Sequence, residues 1–222
     1  MKTQVKCKIC NDKGYVKNNT KKDIQICKCI EKLCKCLNNN NNYYFDRDNN
    51  SFKRCNCSIH RQKILKIKKI FETADIPELY RWKFIEHIET LNKADKEISH
   101  IRGLLDIVEE TINNYSNPKK RRGLLLWSET TGNGKTLAAV VIMNTLILNN
   151  LATAKFIKLS SDYFGKLKHT YQNNAIERER DIIKDLINYD ILIIDDFGTQ
   201  RSTSWENEKL YELIDGRNIS NK

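Results

Sequence analysis

The stretch that most constrains this sequence is Ser128-Glu129-Thr130-Thr131-Gly132-Asn133-Gly134-Lys135-Thr136, because the chain changes character across it. Upstream, Leu124–Trp127 is an all-apolar run of the kind buried on both faces of a parallel sheet. Downstream, Thr136–Leu148 is apolar for the length of a helix. A strand, a glycine-bearing turn and a helix opening on Gly-Lys-Thr predict a phosphate-binding loop. Glycine lets backbone N–H groups turn inward, and the helix N-terminus adds its positive end. In this reading Gly132, Asn133 and Gly134 wrap the phosphates of ATP. Lys135 reaches the β- and γ-phosphates, and Thr136 offers its hydroxyl to Mg²⁺. Glu129 occupies the place of the motif's first glycine. A carboxylate there is unfavourable, so it is expected to point away or to weaken binding.

The motif needs an acidic partner, and Asp190-Ile-Leu-Ile-Ile-Asp195-Asp196 supplies one. Four apolar residues carry a strand through a core and deliver two carboxylates at its C-terminal end, where open α/β sheets bind ligands. Asp195 is expected to face Mg²⁺ and Asp196 to orient or activate the attacking water. Between the motifs, Ala154–Leu159 predicts a second strand, Ser161 the cap of a following helix, and Ala175–Asn188 a charged amphipathic helix. Thr203-Ser204-Trp205-Glu206 has capping-box spacing and predicts a last helix carrying Leu210, Leu213 and Ile214. Strands alternating with helices predict an α/β parallel sheet covered on both faces.

Upstream of residue 123 the composition differs. Residues 1–122 hold 27 basic and 15 acidic residues, against 12 and 13 in residues 123–222. A basic front beside a neutral nucleotide-binding half points to nucleic acid as a partner. Three blocks are expected: a cysteine-rich module over 1–60, a helical linker region over 61–122, and the P-loop core over 123–222. The linker reading rests on Ile64, Leu65, Ile67, Ile70 and Phe71 at helical spacing, a break at Pro77, and a second run of Ile98, Ile101, Leu105, Val108 and Ile112. The polar run Asn38–Asn42 reads as a disordered insertion.

All eight cysteines lie before residue 58, as Cys7-x-x-Cys10, Cys27-x-Cys29, Cys34-x-Cys36 and Cys55-x-Cys57. No apolar leader opens the sequence and no apolar run is long enough to cross a bilayer. With ATP as the expected ligand, the reading is a cytoplasmic protein in a reducing compartment, with no membrane partner. Paired thiols then predict zinc, two ions held by four thiolates each, with sequential or nested pairing left open. Gly14 suits the turn after the first pair, and His60 reads as a helix-start residue, not a ligand. Tyr43, Tyr44, Phe45 and Phe52, among Lys53 and Arg54, suit either base stacking or packing around the zinc module.

Taken together, these stretches resemble the bacterial and phage helicase loaders of the DnaC/DnaI type, close to the IstB-like ATP-binding proteins of the AAA+ class. The resemblance is carried by Cys7-x-x-Cys10 with Gly14-Tyr15, Cys55-x-Cys57 with the basic helix after it, Ala74–Tyr80, Gly123–Trp127, the P-loop, Asp190–Gly198 and Thr203–Arg217. It implies an AAA+ sheet, a zinc module that grips the replicative DNA helicase or DNA, and an ATP-binding part that also meets single-stranded DNA. The same resemblance gives Lys135, Thr136, Asp195 and Asp196 the ATP-site roles described above. Self-association is left open.

Two departures qualify this resemblance. An additional C-x-C pair and the Asn run enlarge the cysteine block. The family's sensor strand, arginine finger and final strand have no counterpart before Lys222, so the sheet is expected to be incomplete. In this class the missing strand lies between those of the P-loop and Asp195, leaving unpaired edges on both. ATP binding is expected to outlast efficient hydrolysis. Alternatives are an IstB-like transposition helper, disfavoured by the cysteine-rich front, and a non-catalytic zinc adaptor with a degenerate nucleotide site.

Overall fold

A computed structural model describes residues 7–36, 42–88, 99–171, 176–198 and 203–222. Asn38–Asn41 of the polar run, Ile98 and Ala175 lie outside the described residues. The chain divides into two compact units, Met1–Lys69 and Ile70–Lys222. Among the described residues no helix is long and apolar enough to cross a membrane.

The first unit consists of two small antiparallel hairpins and a helix. Strands β1 (Tyr15–Asn18) and β2 (Asp23–Ile26) form one hairpin, followed by the single turn α1 (Lys28–Glu31). Strands β3 (Tyr43–Asp46) and β4 (Ser51–Arg54) form the other. Helix α2 (Cys57–Thr73) then begins on the last cysteine. Its Ile64, Ile67, Ile70 and Phe71 are buried, as their spacing predicts, whereas Leu65 is exposed. Two-stranded hairpins are marginal alone, so short elements like these need staples at their ends. Each hairpin here ends on a cysteine: Cys27 N donates to Gly14 O and Cys55 N to Asn42 O.

The second unit is α/β. Helices α3 (Ser99–Asn114) and α4 (Lys135–Asn150) pack together through Val108, Ala138, Val141, Ile142 and Leu146. Strands β5 (Ala154–Lys158) and β6 (Ile191–Asp195) pair in parallel, Ala154 opposite Ile191 and Lys158 opposite Asp195. Ile191 faces the α4 cluster. Leu192 and Ile194 face a second cluster built from Ile157, Tyr163, Phe164, Leu167, Ile183, Leu186 and Leu213. Alternation along the strand therefore places helices on both sheet faces. The second cluster draws on α5 (Gly165–Tyr171), α6 (Ile176–Asn188) and α7 (Ser204–Ile219).

Two sequence expectations are corrected. Leu124–Trp127 has no regular structure and is not part of any sheet, and Leu125 and Trp127 are 73% and 76% exposed. The physical reason is pairing: a strand exists only beside another, and among the described residues the edge of β6 away from β5 carries no strand. The opposite edge, on β5, is covered, because Phe156 N donates to Ala74 O and Lys155 pairs with Asp75. Ser161 does not cap a helix either. A π-helical turn begins at Leu159 with Lys158 as its flanking residue, and the Asp162 carboxylate accepts from Lys158 N at 2.8 Å. The acid thus ties the flanking residue to the turn, and no side chain caps its first N–H groups.

Candidate nucleotide site and cysteine centres

Helix α4 starts at Lys135 because Gly134, with φ +79°, turns the chain in a left-handed conformation that L side chains resist. Gly132 does the same at φ +81°. No side chain caps this helix start, so its first N–H groups are left to an external acceptor. The Lys135 ammonium folds onto the loop itself, donating to Ser128 Oγ at 2.8 Å and Thr130 O at 2.9 Å. Those two oxygens stand where an anion's oxygens would serve a cation equally well. The Asn133 side-chain amide lies within hydrogen-bond distance of Thr130, and Glu129 is exposed to solvent.

The parallel register carries Asp195 to the C-terminal end of β6, next to the first turn of α4. There Thr136 Oγ1 donates to Asp195 Oδ1 at 3.1 Å and Oδ2 at 3.3 Å. A hydroxyl and a carboxylate side by side, one turn from an ammonium, form a hard-oxygen donor pair suited to Mg²⁺. Asp196 follows at φ +59° and is exposed. The left-handed turn aims the chain away from the sheet immediately after the strand.

Two positioning residues have no sequence motif. Asn144, fully buried on α4, donates to Tyr80 O, Arg81 O and Lys83 O, fastening the 80–83 turn to that helix. Arg217 Nη1 donates to Leu186 O at 2.8 Å and Tyr189 O at 2.8 Å, satisfying carbonyls at the end of α6 just before β6 begins. An interleaved apolar pattern signals neither, since each reaches backbone far away in sequence.

The eight thiols gather into two clusters, Cys7/Cys10/Cys27/Cys29 and Cys34/Cys36/Cys55/Cys57. The pairing is sequential. Within each, the four sulfurs lie within 4.8 Å of one another, and no disulfide forms among the described residues. Four convergent thiols fit a tetrahedral structural ion such as zinc. Their acidities show the same crowding. Hydrogen bonds from the Cys10 backbone and side chain bring Cys7 down to about 7. Burial, then hydrogen bonding with Cys34, Cys57 and Cys55, pushes Cys36 up to about 12. Burial likewise raises Cys27, Cys29 and Cys57. A cluster that favours one thiolate and resists the next is one whose charge calls for a cation. His60 belongs to neither thiol cluster; its Nδ1 lies 3.0 Å from Lys13 O, which fixes that nitrogen as the donor. The ring sits so close to Gly14 (φ +81°) that a Cβ there would meet it at 2.0 Å.

No family model matches the sequence. Curated relatives do. The chain is 25% identical over 164 residues to the "Replicative helicase loader DnaC" of Buchnera aphidicola subsp. Baizongia pistaciae, covering 74% of this chain and 62% of that protein. It is 23% identical over 160 residues to the DnaC of Escherichia coli K12, covering 72% and 60% respectively. It is also 22% identical over 169 residues to an uncharacterized Escherichia coli K12 protein, YdaV. The chain thus spans about three fifths of the length of the relatives it matches, 60–62% of each.

Proposed function

From its relationship to the DnaC-type replicative helicase loaders, we propose that this chain is an ATP-binding DNA replication protein that helps place the replicative helicase on DNA. The observation that carries the nucleotide half of the reading is the meeting of Thr136 and Asp195 beside Lys135. On this reading, residues 123–222 are the P-loop core of an AAA+ fold. Gly132, Asn133 and Gly134 present backbone N–H groups to the phosphates, and Lys135 leaves Ser128 and Thr130 to meet the β- and γ-phosphates. Thr136 and Asp195 hold Mg²⁺, which supplies charge neutralisation between phosphates. Asp196 orients water. Single-stranded DNA and the helicase are the macromolecular partners, and the cysteine module, with two zinc ions, is the grip on one of them.

The transposition-helper reading is less well supported, because the named relatives are helicase loaders and the front of the chain holds two four-thiol centres. Titration calorimetry with MgATP tests the nucleotide half. Lys135→Ala should abolish uptake while leaving the unfolding transition in place, since Lys135 bonds only to its own loop. Unchanged ATP affinity would remove the reading. Co-elution with a hexameric replicative helicase tests the other half.

A further inference from the structure

The β3–β4 hairpin takes no part in the nucleotide site. Its register sets Tyr43 opposite Arg54 and Phe45 opposite Phe52. Side chains alternate along strands, so Tyr43, Phe45, Phe52 and Arg54 share one face, and Tyr44, Asp46 and Lys53 share the other. The second face is committed to the fold. Tyr44 packs on the Cys36/Cys55/Cys57 cluster with the Lys35 ammonium 5.3 Å from its ring centre, and Lys53 pairs with Asp46.

The first face is open. Tyr43 is 53%, Phe45 48% and Phe52 75% exposed, with the two phenyl rings edge to face at 5.3 Å between centroids. Three aromatic rings left in water on one short hairpin mark an interaction surface. Charge selects the partner. Residues 1–69 carry 18 basic and 5 acidic side chains, an excess of 13. Two four-thiolate zinc sites, each lowering the charge by about 2, would leave that excess large. Arg47 at the hairpin tip and Arg54 at its base make no ion pair among the described residues. Flat rings bordered by unpaired guanidinium groups match a ligand with π-faces strung on phosphates.

We propose that the Tyr43/Phe45/Phe52/Arg54 face binds single-stranded nucleic acid, bases stacking on the rings while Arg54 and Arg47 meet phosphates. A duplex keeps its base faces inside the stack and offers the rings nothing. The surface lies in a different unit from the nucleotide site and does not depend on it.

The test uses the full zinc-loaded chain and fluorescein-labelled oligonucleotides of about ten nucleotides, as oligo-dT, oligo-rU and duplex, followed by anisotropy. The Phe45→Leu/Phe52→Leu double variant keeps apolar area but loses the π-faces. It should weaken single-strand binding about tenfold or more, with zinc content unchanged, while Phe52→Tyr stays near wild type. Arg54→Ala should lower the salt slope by about 0.7. The dT and rU arms separate DNA from RNA. Three results overturn the proposal: a leucine variant that binds as tightly as wild type, duplex bound as well as single strand, or loss of helicase co-elution with oligonucleotide binding untouched. The last would make this a protein-docking face.

Discussion

Thr136 Oγ1 and the Asp195 carboxylate, 59 positions apart in sequence, lie 3.1 Å apart in the structure. The contact joins the first turn of the P-loop helix to the end of the strand beside it. Asp195→Asn keeps an acceptor for the hydroxyl but loses the charge a divalent ion requires. MgATP affinity should fall about tenfold or more (about 1.4 kcal/mol per decade), whereas ATP without Mg²⁺ should bind as before. Calorimetry with and without Mg²⁺ separates the two, and an equal loss in both would move Asp195 out of the metal's reach.

The cysteine centres predict two zinc ions per chain by elemental analysis. Because the pairing is sequential, Cys10→Ser should remove one ion and Cys36→Ser the other, independently. Zinc requires thiolates, so uptake releases protons and acid expels the metal. Chelation should unfold the first unit's hairpins while leaving the unfolding transition of the second unit in place. A single shared ion, or a disulfide-bonded metal-free protein, contradicts this.

Gly14 and His60 form a steric lock within the first unit. Gly14→Ala brings a methyl group into the imidazole and places a Cβ at φ +81°, costing about 1–3 kcal/mol from backbone strain and more from the clash. Gly14→Ala/His60→Ala removes the clash but not the strain, so thermal unfolding should recover only in part. Full recovery would mean that the turn tolerates a side chain.

Glu206 closes the capping box of α7: Thr203 N donates to its carboxylate and Glu206 N donates to Thr203 Oγ1. The Lys168 ammonium at 2.8 Å, followed by the Thr203 N–H, holds its carboxyl below the usual range. A depressed folded pKa contributes stability above the unfolded value, about 4.3, and loses it as pH falls through the folded one. Glu206→Gln should therefore destabilise by about 1 kcal/mol at neutral pH, discounted for Lys168 being half exposed, and by little below about pH 4. Urea melts at both pH values give the comparison. An equal deficit at both would show that shape, not charge, matters at this position.

What the sequence reveals depends on how far a residue must reach. The capping box, strands β5 and β6 and the cysteine pairs are local or follow a simple period, and they were readable. So was the Thr136–Asp195 meeting, because the glycine-bearing motif that opens α4 requires an acid at the end of an apolar strand, and Asp190–Asp196 supplies one. The order of cysteine pairing, the Asn144 clamp and the Arg217 clasp depend on backbone arriving from elsewhere, and no pattern announces them. Leu124–Trp127 misleads for the opposite reason. Its residues are those of a buried strand, but strandhood belongs to a pair of segments, and among the described residues none lies beside it to pair.

That unclaimed backbone has a consequence for handling the protein. Among the described residues the edge of β6 away from β5 pairs with no strand, and with the bare Leu125 and Trp127 side chains it forms a sticky template that a further segment or another molecule can extend by hydrogen bonding. Concentrated solutions should therefore drift toward stacked aggregates, and a charged substitution at Leu125 should keep them clear.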